Sequence, residues 1–577
     1  MSVRPVFLAS LLAIALVTAA FADDAAVPAT NAGPRVPNDV PDMHEEAAAA
    51  GIDHSYTGDF QFFVGGGVAA LDCNGDRKPD LFIAGGTSPA ELFENDSPTG
   101  GALKFHKVSL DGIPPSKLLN VVGAYPLDFD NDGIMDLMVM RVGENLMLRG
   151  TGNCHFQVAN DLWSYDGGND WTTAFSAEWE VGQTYPTIAV GNYIDRQSIG
   201  APEAQCARSY VIRPTAGEKP NYSTPFPLDP SWCPLSMLFT DWNNSGTMAL
   251  RITNDRQYYR GGEEQLWHVD PGQSPRQYTE AEGWHHLSIY GMGIAQAMLN
   301  GAGYPVYALT SMGDTKLQQL DPDAVSNGDG DTMQPMYKDI AYPLGANAQR
   351  PYVGGDYRGS TGWHSQFADF NNDGLLDLFI SKGNVEAMPD FAQKDPSNLL
   401  LGQWDGTFKE VGDLAGVAQP DKRARGAAVI DLNMDGMLDL VVVNRNAPVT
   451  LYRNLGTRTA WGTDAPMGNW VEVELFQEGA NRNAIGAQIS VKAGNNRMER
   501  TVAVGGGHAS GQSGFVHVGL GTAERAEIRV KWPDGSWSNT YRVFANEFVR
   551  LDRAKPDAEY WFPEPAETAA ASPPTGN

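Results

Sequence analysis

The chain has 577 residues, with 41 Lys and Arg against 70 Asp and Glu, for a net charge of −29. That balance excludes a phosphate-tracking surface, which needs clustered basic charge, so nucleic acid is not an expected partner. Apolar residues at 42%, aromatics at 10% and 14 Trp exclude global disorder, while 63 Gly and 37 Pro suit many short strands joined by turns.

Residues 1–22 carry Arg4, an apolar run from Val6 to Ala20 and then Ala20-Phe21-Ala22, the layout of a signal peptide with an A-x-A cleavage site. The run is about 15 residues, short of the roughly 20 that span a bilayer, and no later segment is long and apolar enough for a membrane span. The expected location is secreted or periplasmic. Removing Arg4 with the leader takes the net charge from −29 to −30. Residues 23–55 read as an N-terminal linker. Cys73, Cys154, Cys206 and Cys233 allow three pairings in an oxidising compartment. Cys206 and Cys233 are the nearest in sequence and lie in a Pro-rich stretch, so they are the expected pair, their bridge contributing on the order of 3 kcal/mol. No CxxC or Cys/His cluster has zinc spacing.

One acidic pattern recurs: Asp72-Cys-Asn74-Gly-Asp76-Arg-Lys78-Pro-Asp80, Asp128-Phe-Asp130-Asn-Asp132-Gly-Ile134-Met-Asp136, Asp369-Phe-Asn371-Asn-Asp373-Gly-Leu375-Leu-Asp377 and Asp431-Leu-Asn433-Met-Asp435-Gly-Met437-Leu-Asp439. Each has oxygen side chains at loop positions 1, 3, 5 and 9, and a backbone carbonyl at position 7 can complete the shell. Such alternating oxygens suit a hard cation, so about four Ca²⁺ sites are expected. An EF-hand would need a bidentate Glu at position 12, where this chain has Ile83, Val139, Ile380 and Val442. The loops instead run into β-branched and aromatic segments of strand length, which makes them strand-loop-strand sites. Asp, Asn and Gly also make turns unaided, but four carboxylates in the second loop repel one another without a cation.

The first two loops start 56 residues apart and the last two 62 apart, and the gap between the pairs holds about four such spacings. Three degenerate units are therefore expected there. They are Thr187-Ile-Ala-Val-Gly-Asn192-Tyr-Ile-Asp195 with a damaged loop, Asp241-Trp-Asn243-Asn-Ser245-Gly246 with Ala249 in place of the closing Asp, and Asn300-Gly-Ala-Gly303 before Val306. Seven units of several strands each fit the blades of a β-propeller. Strand signals at Phe105 to Val108, Phe156-Gln-Val and Phe408-Lys-Glu-Val recur after acidic loops.

These loops with their following strands resemble the FG-GAP/VCBS repeats of integrin-type seven-bladed propellers, over residues 56–459. The resemblance implies calcium ligands at positions 1, 3, 5 and 9 of the four full loops, plus the carbonyls of Lys78, Ile134, Leu375 and Met437. The first loop departs in having Arg77 where the others have Gly133, Gly374 and Gly436, which implies a more strained turn.

After Thr459, Trp470-Val-Glu-Val-Glu-Leu begins a two-residue alternation, followed by Gln488-Ile-Ser-Val, Glu499-Arg-Thr-Val, Val516-His-Val-Gly, Ala526 to Trp532 and Val543 to Leu551. Residues 460–553 are thus expected to form a small β-sandwich or barrel. Ile485-Gly-Ala487, Gly519-Leu-Gly521 and Trp532-Pro-Asp-Gly-Ser536 resemble the ASPIC/UnbV domain, and the pairing of the two domains resembles bacterial relatives of cartilage acidic protein. Residues 554–577, rich in Pro, Ala and Glu, read as a disordered tail. The fold class is all-β, a seven-bladed propeller followed by a small β-domain.

Enzyme motifs are mostly absent, and no catalytic residue is assigned. Gly505-Gly-Gly-His508-Ala-Ser510-Gly511 lacks the G-x-S-x-G spacing and reads as tight turns. Trp284-His285-His286 with Tyr290, and Trp363-His364, precede the innermost strand of a blade and can face the central channel. There they serve either a sugar or uronate chemistry like that of a polysaccharide lyase, or the plain packing of Trp between blades with His on backbone groups. The leading expectation is an exported calcium-binding module for an extracellular or periplasmic protein or glycan, and the alternative is a carbohydrate-active enzyme.

Overall fold

The loops and strands above assemble as a ring of seven antiparallel sheets. The computed structural model describes residues 39–199, 205–215, 217–256, 261–299, 302–327, 333–458 and 464–563, so the expected leader at 1–22 lies outside the described residues. Blade one comprises Val68–Leu71, Asp80–Ile83, Glu91–Asn95 and Phe105–Val108; blade two Val121–Leu127, Asp136–Arg141, Leu146–Gly152 and His155–Val158; blade three Thr172–Glu178, Thr187–Asn192, Ser209–Ile212 and Pro225–Leu228. Blade four comprises Pro234–Thr240, Ala249–Asn254, Gln265–His268 and Arg276–Gln277; blade five Gly291–Ala297, Val306–Ser311, Lys316–Leu320 and Tyr337–Asp339; blade six Gly362–Ala368, Asp377–Lys382, Asn398–Gly402 and Phe408–Glu410. Blade seven has Ala424–Ile430, Asp439–Asn444 and Thr450–Arg458.

The innermost strands of consecutive blades are adjacent, and the first blade meets the seventh. These strands are buried on both faces, so they read as largely apolar or small-residue runs, unbroken in Val121–Leu127 and interrupted by the buried Arg425 in Ala424–Ile430. Outer strands can alternate, as in His155–Val158, where Phe156 is buried and Val158 half-buried while His155 and Gln157 are exposed.

Three sequence expectations need correction. The expected linker holds a strand, Pro41–Glu45, that pairs antiparallel with Thr450–Arg458 and completes blade seven, with Pro41 opposite Thr457 and Glu45 opposite Tyr452. Its Pro and charged residues fit an edge position, where an N–H can be spared, and they concealed it as a linker. In blade three, Thr187–Asn192 is the second strand rather than the entering one. The entering strand is Thr172–Glu178, so the loop equivalent to the acidic loops is Trp179–Pro186, and Asn192–Asp195 lies at the opposite end. Finally, the expected tail forms a strand over Glu559–Trp561 on Phe548–Arg550, with Trp561 packed on Phe515 and Phe548.

Among the described residues the later chain forms two four-stranded sheets. One has the order Val516–Gly521, Asn469–Phe476, Glu547–Asp552, Glu559–Trp561, and the other Asn496–Thr501, Gln488–Ala493, Arg525–Lys531, Tyr541–Phe544. Their inner faces share one core that includes Val471, Ile489, Val491, Ile528, Val530 and Leu551. Burying each such side chain contributes roughly 1.5–3 kcal/mol, and together they make this a sandwich.

Two disulfides are present. Cys206–Cys233 is the expected pair, and Cys73–Cys154 ties the first acidic loop to blade two. Both fit an extracellular protein. No helix among the described residues is long and apolar enough to cross a membrane.

Candidate metal centres and the channel

Each full acidic loop joins the innermost strand of its blade to the second strand, and all four fold by one hydrogen-bond scheme. The position-1 carboxylate accepts from the position-6 amide, as in Arg77 N to Asp72 Oδ2 at 2.8 Å, Gly133 N to Asp128 Oδ2 at 3.0 Å, Gly374 N to Asp369 Oδ2 at 2.9 Å and Gly436 N to Asp431 Oδ2 at 2.7 Å. Asp76, Asp132, Asp373 and Asp435 at position 5 accept from the amides of Lys78, Ile134, Leu375 and Met437 at 2.8–2.9 Å. At position 3, Asn74, Asp130 and Asn371 accept from the position-5 amide, and Asn433 donates to Asp435 Oδ2 at 3.0 Å. The turn needs a left-handed residue at position 6, with φ of 88° at Gly133 and Gly374 and 79° at Gly436. Arg77 holds φ 68° there, as the departure from glycine implied. Its guanidinium pairs with Glu474 at 3.1 Å and stacks over Trp561, which offsets the strain.

The position-9 aspartate has a role that spacing alone did not show. Asp80, Asp136, Asp377 and Asp439 are fully buried, and each uses one oxygen for the amide of position 2 and the other for an amide of the third strand. Those third-strand donors are Asn95, Gly150, Gly402 and Asn454, at 2.8–2.9 Å. This residue closes the loop and ties it to the rest of the blade.

The third and fourth loops are almost wholly buried, whereas in the first two Asp76 and Asp132 are exposed. Burial pushes the carboxyl of Asp128 up to about 7, of Asp80 and Asp373 to about 8 and of Asp435 to about 6, and in each loop neighbouring carboxylates push the same way. Asp136, Asp377, Asp431 and Asp439 are raised well beyond the usual carboxylate range, again chiefly by burial. In the second loop, oxygens of Asp128, Asp130 and Asp136 all lie within 4.8 Å of one another. Arg149 also reaches this loop, its Nε 2.5 Å from Asp130 Oδ2 and its Nη2 on Asp132. Buried carboxylates around one point suit a hard divalent cation, so the residues fit Ca²⁺.

The degenerate blades keep parts of the scheme. In blade four, Gly246 N still donates to Asp241 Oδ2 at 2.9 Å, but Ala249 stands at position 9 and the tie to the third strand is gone. In blade three the position-9 residue is Thr187, whose hydroxyl donates to Glu180 at 2.9 Å, and Arg213 pairs with the same Glu180 oxygen at 2.5 Å. A protein cation stands beside the carboxylate there. In blade five, part of the expected Asn300–Gly303 loop lies outside the described residues, and Val306 opens the second strand.

The β-sandwich rests on the acidic loops. Beyond the Arg77–Glu474 pair, Asn481 N donates to Asn131 Oδ1 at 2.9 Å, Gly521 N donates to the Asn372 carbonyl at 2.9 Å, and the Trp470 ring covers Gly436 so closely that no Cβ fits there. His517 lies between Glu472 and Asn372 of the third loop, 2.6 Å from each. All four full loops, in blades six, seven, one and two, therefore touch the second domain.

The channel is narrowed by a plug, and a cavity of about 220 Å³ remains beside it, lined by Gln296, His364 and Gln366. The segment Val504–Gln512, which joins two strands of the sandwich, descends along the innermost strands. Val504 bridges Ala177, Gly505 bridges Leu238, Gly507 bridges Ile294, Ser510 bridges Ala124, and Gly511–Gln512 pairs with Ala69 and Ala70. The glycines expected to make tight turns thus form a plug. The facing strands carry glycine where it passes: a Cβ on Gly67 or Gly123 would stand 1.8 or 2.0 Å from the Ala509 carbonyl oxygen.

The channel histidines serve this plug. His364 Nδ1 accepts from His508 N at 3.1 Å, so its Nε2 carries the proton and faces Gln366 Oε1 at 3.3 Å. His508 Nε2 accepts from Gly65 N at 3.0 Å, and its Nδ1 donates to the Met292 carbonyl at 3.1 Å. Burial lowers their pKa to about 4 and about 3, so both rings are neutral with every nitrogen engaged. Trp284 packs against Arg251 and donates to the Glu264 carbonyl at 3.2 Å, while His285 and His286 face solvent, His286 beside Glu263 at 3.2 Å. The sequence grouping of Trp284, His285 and His286 with His364 is not a spatial one.

Comparison with known proteins matches a segment of each part. Residues 72–139 match the FG-GAP-like repeat and residues 477–558 match the ASPIC and UnbV domain. The chain is 27% identical to cartilage acidic protein 1 of Xenopus tropicalis over 177 residues, 29% of this chain and 25% of that protein. It is 29% identical to the Homo sapiens protein of that name over 151 residues, 26% of this chain and 19% of that one. The matched stretch thus spans a quarter or less of these relatives. Among solved structures, that of BBS1N in complex with ARL6DN, soaked with lead, aligns over 71% of this chain and 98% of that chain, at 10% identity and a TM-score of 0.38.

Proposed function

We propose that this all-β chain, carrying an FG-GAP-like repeat and an ASPIC/UnbV domain, is an exported calcium-binding module that engages an extracellular or periplasmic protein or glycan. In this reading the propeller, from Pro41–Glu45 through Thr450–Arg458, and the sandwich, from Asn469–Phe476 through Glu559–Trp561, are the two working units, joined through the four acidic loops. The ligands are the side chains of Asp72, Asn74, Asp76 and Asp80, of Asp128, Asp130, Asp132 and Asp136, of Asp369, Asn371, Asp373 and Asp377, and of Asp431, Asn433, Asp435 and Asp439. The position-7 carbonyls of Lys78, Ile134, Leu375 and Met437 complete each shell.

The observation that carries the reading is the convergence of Asp128, Asp130 and Asp136 oxygens within 4.8 Å, in a loop anchored at both ends by a buried aspartate and whose pattern recurs three more times. Bound Ca²⁺ supplies charge compensation there. The protein's own amides fix each carboxylate before any ion arrives, so little ordering remains to be done on binding. Because the same loops support the sandwich, calcium also stiffens the contact between the two units.

The lyase-like alternative needs a histidine free to take a proton in an open channel. His364 has both nitrogens engaged, and Val504–Gln512 occupies the channel beside it. The binding reading is tested by melting the mature chain with and without Ca²⁺. Each independent site at about 100 times its dissociation constant stabilises by roughly 2.7 kcal/mol. A melting temperature indifferent to EDTA, with no metal in the purified protein, contradicts it.

A further inference from the structure

At the other end of the channel, away from the acidic loops and the sandwich, a cavity of about 380 Å³ opens between the starts of the innermost strands and the ends of the second strands. Phe60, Phe63, Trp171, Tyr193, Tyr290 and Trp363 line it. Phe63, Phe60, Trp171 and Tyr193 stand edge to face in sequence, with ring centroids 5.7, 5.8 and 4.8 Å apart. The plug closes it from below, since Trp363 packs on the His508 ring at 5.0 Å and Met292, another lining residue, accepts from His508 Nδ1. Three of the large apolar side chains exposed on this protein meet at its mouth: Phe60 at 39%, Tyr290 at 52% and Met388 at 36%. Tyr290 also holds φ 54°, a left-handed backbone that a bulky residue rarely adopts, and such strain collects at binding sites.

Charge selects the occupant. Guanidinium groups already stand over three of the lining rings: Arg425 over Trp363 at 3.9 Å, Arg445 over Phe63 at 4.5 Å and Arg256 over Tyr193 at 5.5 Å. An entering cation meets their repulsion in place of open ring faces. The polar corner of the cavity is satisfied within itself, Tyr193 donating to Asp255 and Arg256 Nε donating to the Tyr193 hydroxyl at 2.9 Å, with Arg256 3.6 Å from Asp255. Arg256 is thus offset by Asp255, Arg445 is paired with Glu386, and Arg425 donates to the carbonyls of Phe63, Asn384 and Val385 behind Trp363, so the guanidiniums cover ring faces and are turned away from an anion in the cavity. The volume lies in the range of small-molecule sites, about 300–1,000 Å³, and is too small for a protein element.

We infer that this cavity binds a neutral, mostly apolar ring compound, aromatic or alicyclic, with at most one hydrogen-bonding group directed to the Tyr193–Asp255–Arg256 corner. The inference is independent of the calcium reading, because the site lies at the opposite ends of the strands.

The test titrates the full mature chain with N-phenyl-1-naphthylamine, a neutral apolar fluorophore, in calcium and in EDTA. One saturable site is expected. Met312→Trp, which fills the cavity from a half-buried position, weakens it at least tenfold, and Tyr290→Ala at the rim weakens it severalfold with an unchanged melting transition. Phe544→Ala, which removes an exposed aromatic from the sandwich, leaves the affinity unchanged. The inference is overturned by absence of saturable binding, by equal loss in Phe544→Ala, or by more effective displacement with an anionic naphthalene sulfonate, benzyltrimethylammonium or a monosaccharide. A dimer in sedimentation that dissociates on Tyr290→Asp overturns it too, since the occupant is then a second copy of the chain. Loss of probe binding with intact metal binding, or the reverse, separates the two readings.

Discussion

Blades six, seven, one and two differ from blades three, four and five in one loop each, and the difference divides the molecule into two arcs. In the first arc every loop closes through a buried aspartate that satisfies two amides and every loop touches the sandwich. In the second arc position 9 is Thr187, Ala249 or Val306, and the blades stand without it. Forming a blade therefore does not require the acidic loop. In the first arc the position-9 aspartates serve two amides each, while the other carboxylates stand where burial disfavours their charge, which the proposed cation would offset.

The largest effect that tests this contrast is at position 9. Asp136→Ala leaves two buried amides without partners, at about 1–3 kcal/mol each, whereas Thr187→Ala removes one hydroxyl contact worth about 1 kcal/mol. Urea denaturation in EDTA measures both, and equal losses would erase the distinction between the arcs. Next comes the plug. Gly123→Val drives side-chain atoms into the Ala509 carbonyl and is expected to cost about 3 kcal/mol, while the same change at Gly246, where nothing lies within 4 Å, acts only through its φ of 85°.

A smaller effect is in pH. The folded carboxyls of Asp435, Asp128, Asp80 and Asp373 lie at about 6, 7, 8 and 8 against 3.8 for an ordinary aspartate. Without calcium the folded state binds more protons than the unfolded one. Their contribution is most favourable below about pH 4 and is lost as pH rises through 6 to 8. Calcium replaces those protons, so the gap in melting temperature between calcium and EDTA is widest near pH 8 and narrows toward pH 5. A gap constant with pH would mean that the stabilising ion does not sit on these carboxylates. The smallest expected change is His285→Ala, exposed in the second arc, which shifts stability by no more than about 0.5 kcal/mol.

Much of this was readable from sequence because the decisive features are local. A nine-residue loop carries its oxygens at fixed offsets, and a blade repeats about every 60 residues, so Asp128 to Asp136 identify themselves without tertiary information. What failed is non-local. The strand Pro41–Glu45 gains its identity only by pairing with residues some 400 positions later. In blade three Trp179, Val181 and Gln183 stand at loop positions 1, 3 and 5 and the one acid, Glu180, is out of step, so Asn192 and Asp195 at the wrong end of the sheet were mistaken for its remains. The plug depends on Ala509 meeting Gly67 and Gly123 across the whole chain. One signal was available, since Gly67, Gly123, Gly293 and Gly426 all occur within or beside the innermost-strand runs, where a glycine marks close backbone approach.

The most direct test is the calcium stoichiometry of the mature chain after exhaustive EDTA treatment and reloading, read by elemental analysis. Four ions per chain are predicted, falling to three in Asp128→Asn with Asp132→Asn and unchanged in Asp241→Asn. No bound calcium, or a count that falls with Asp241→Asn but not with the second-loop variant, contradicts the account.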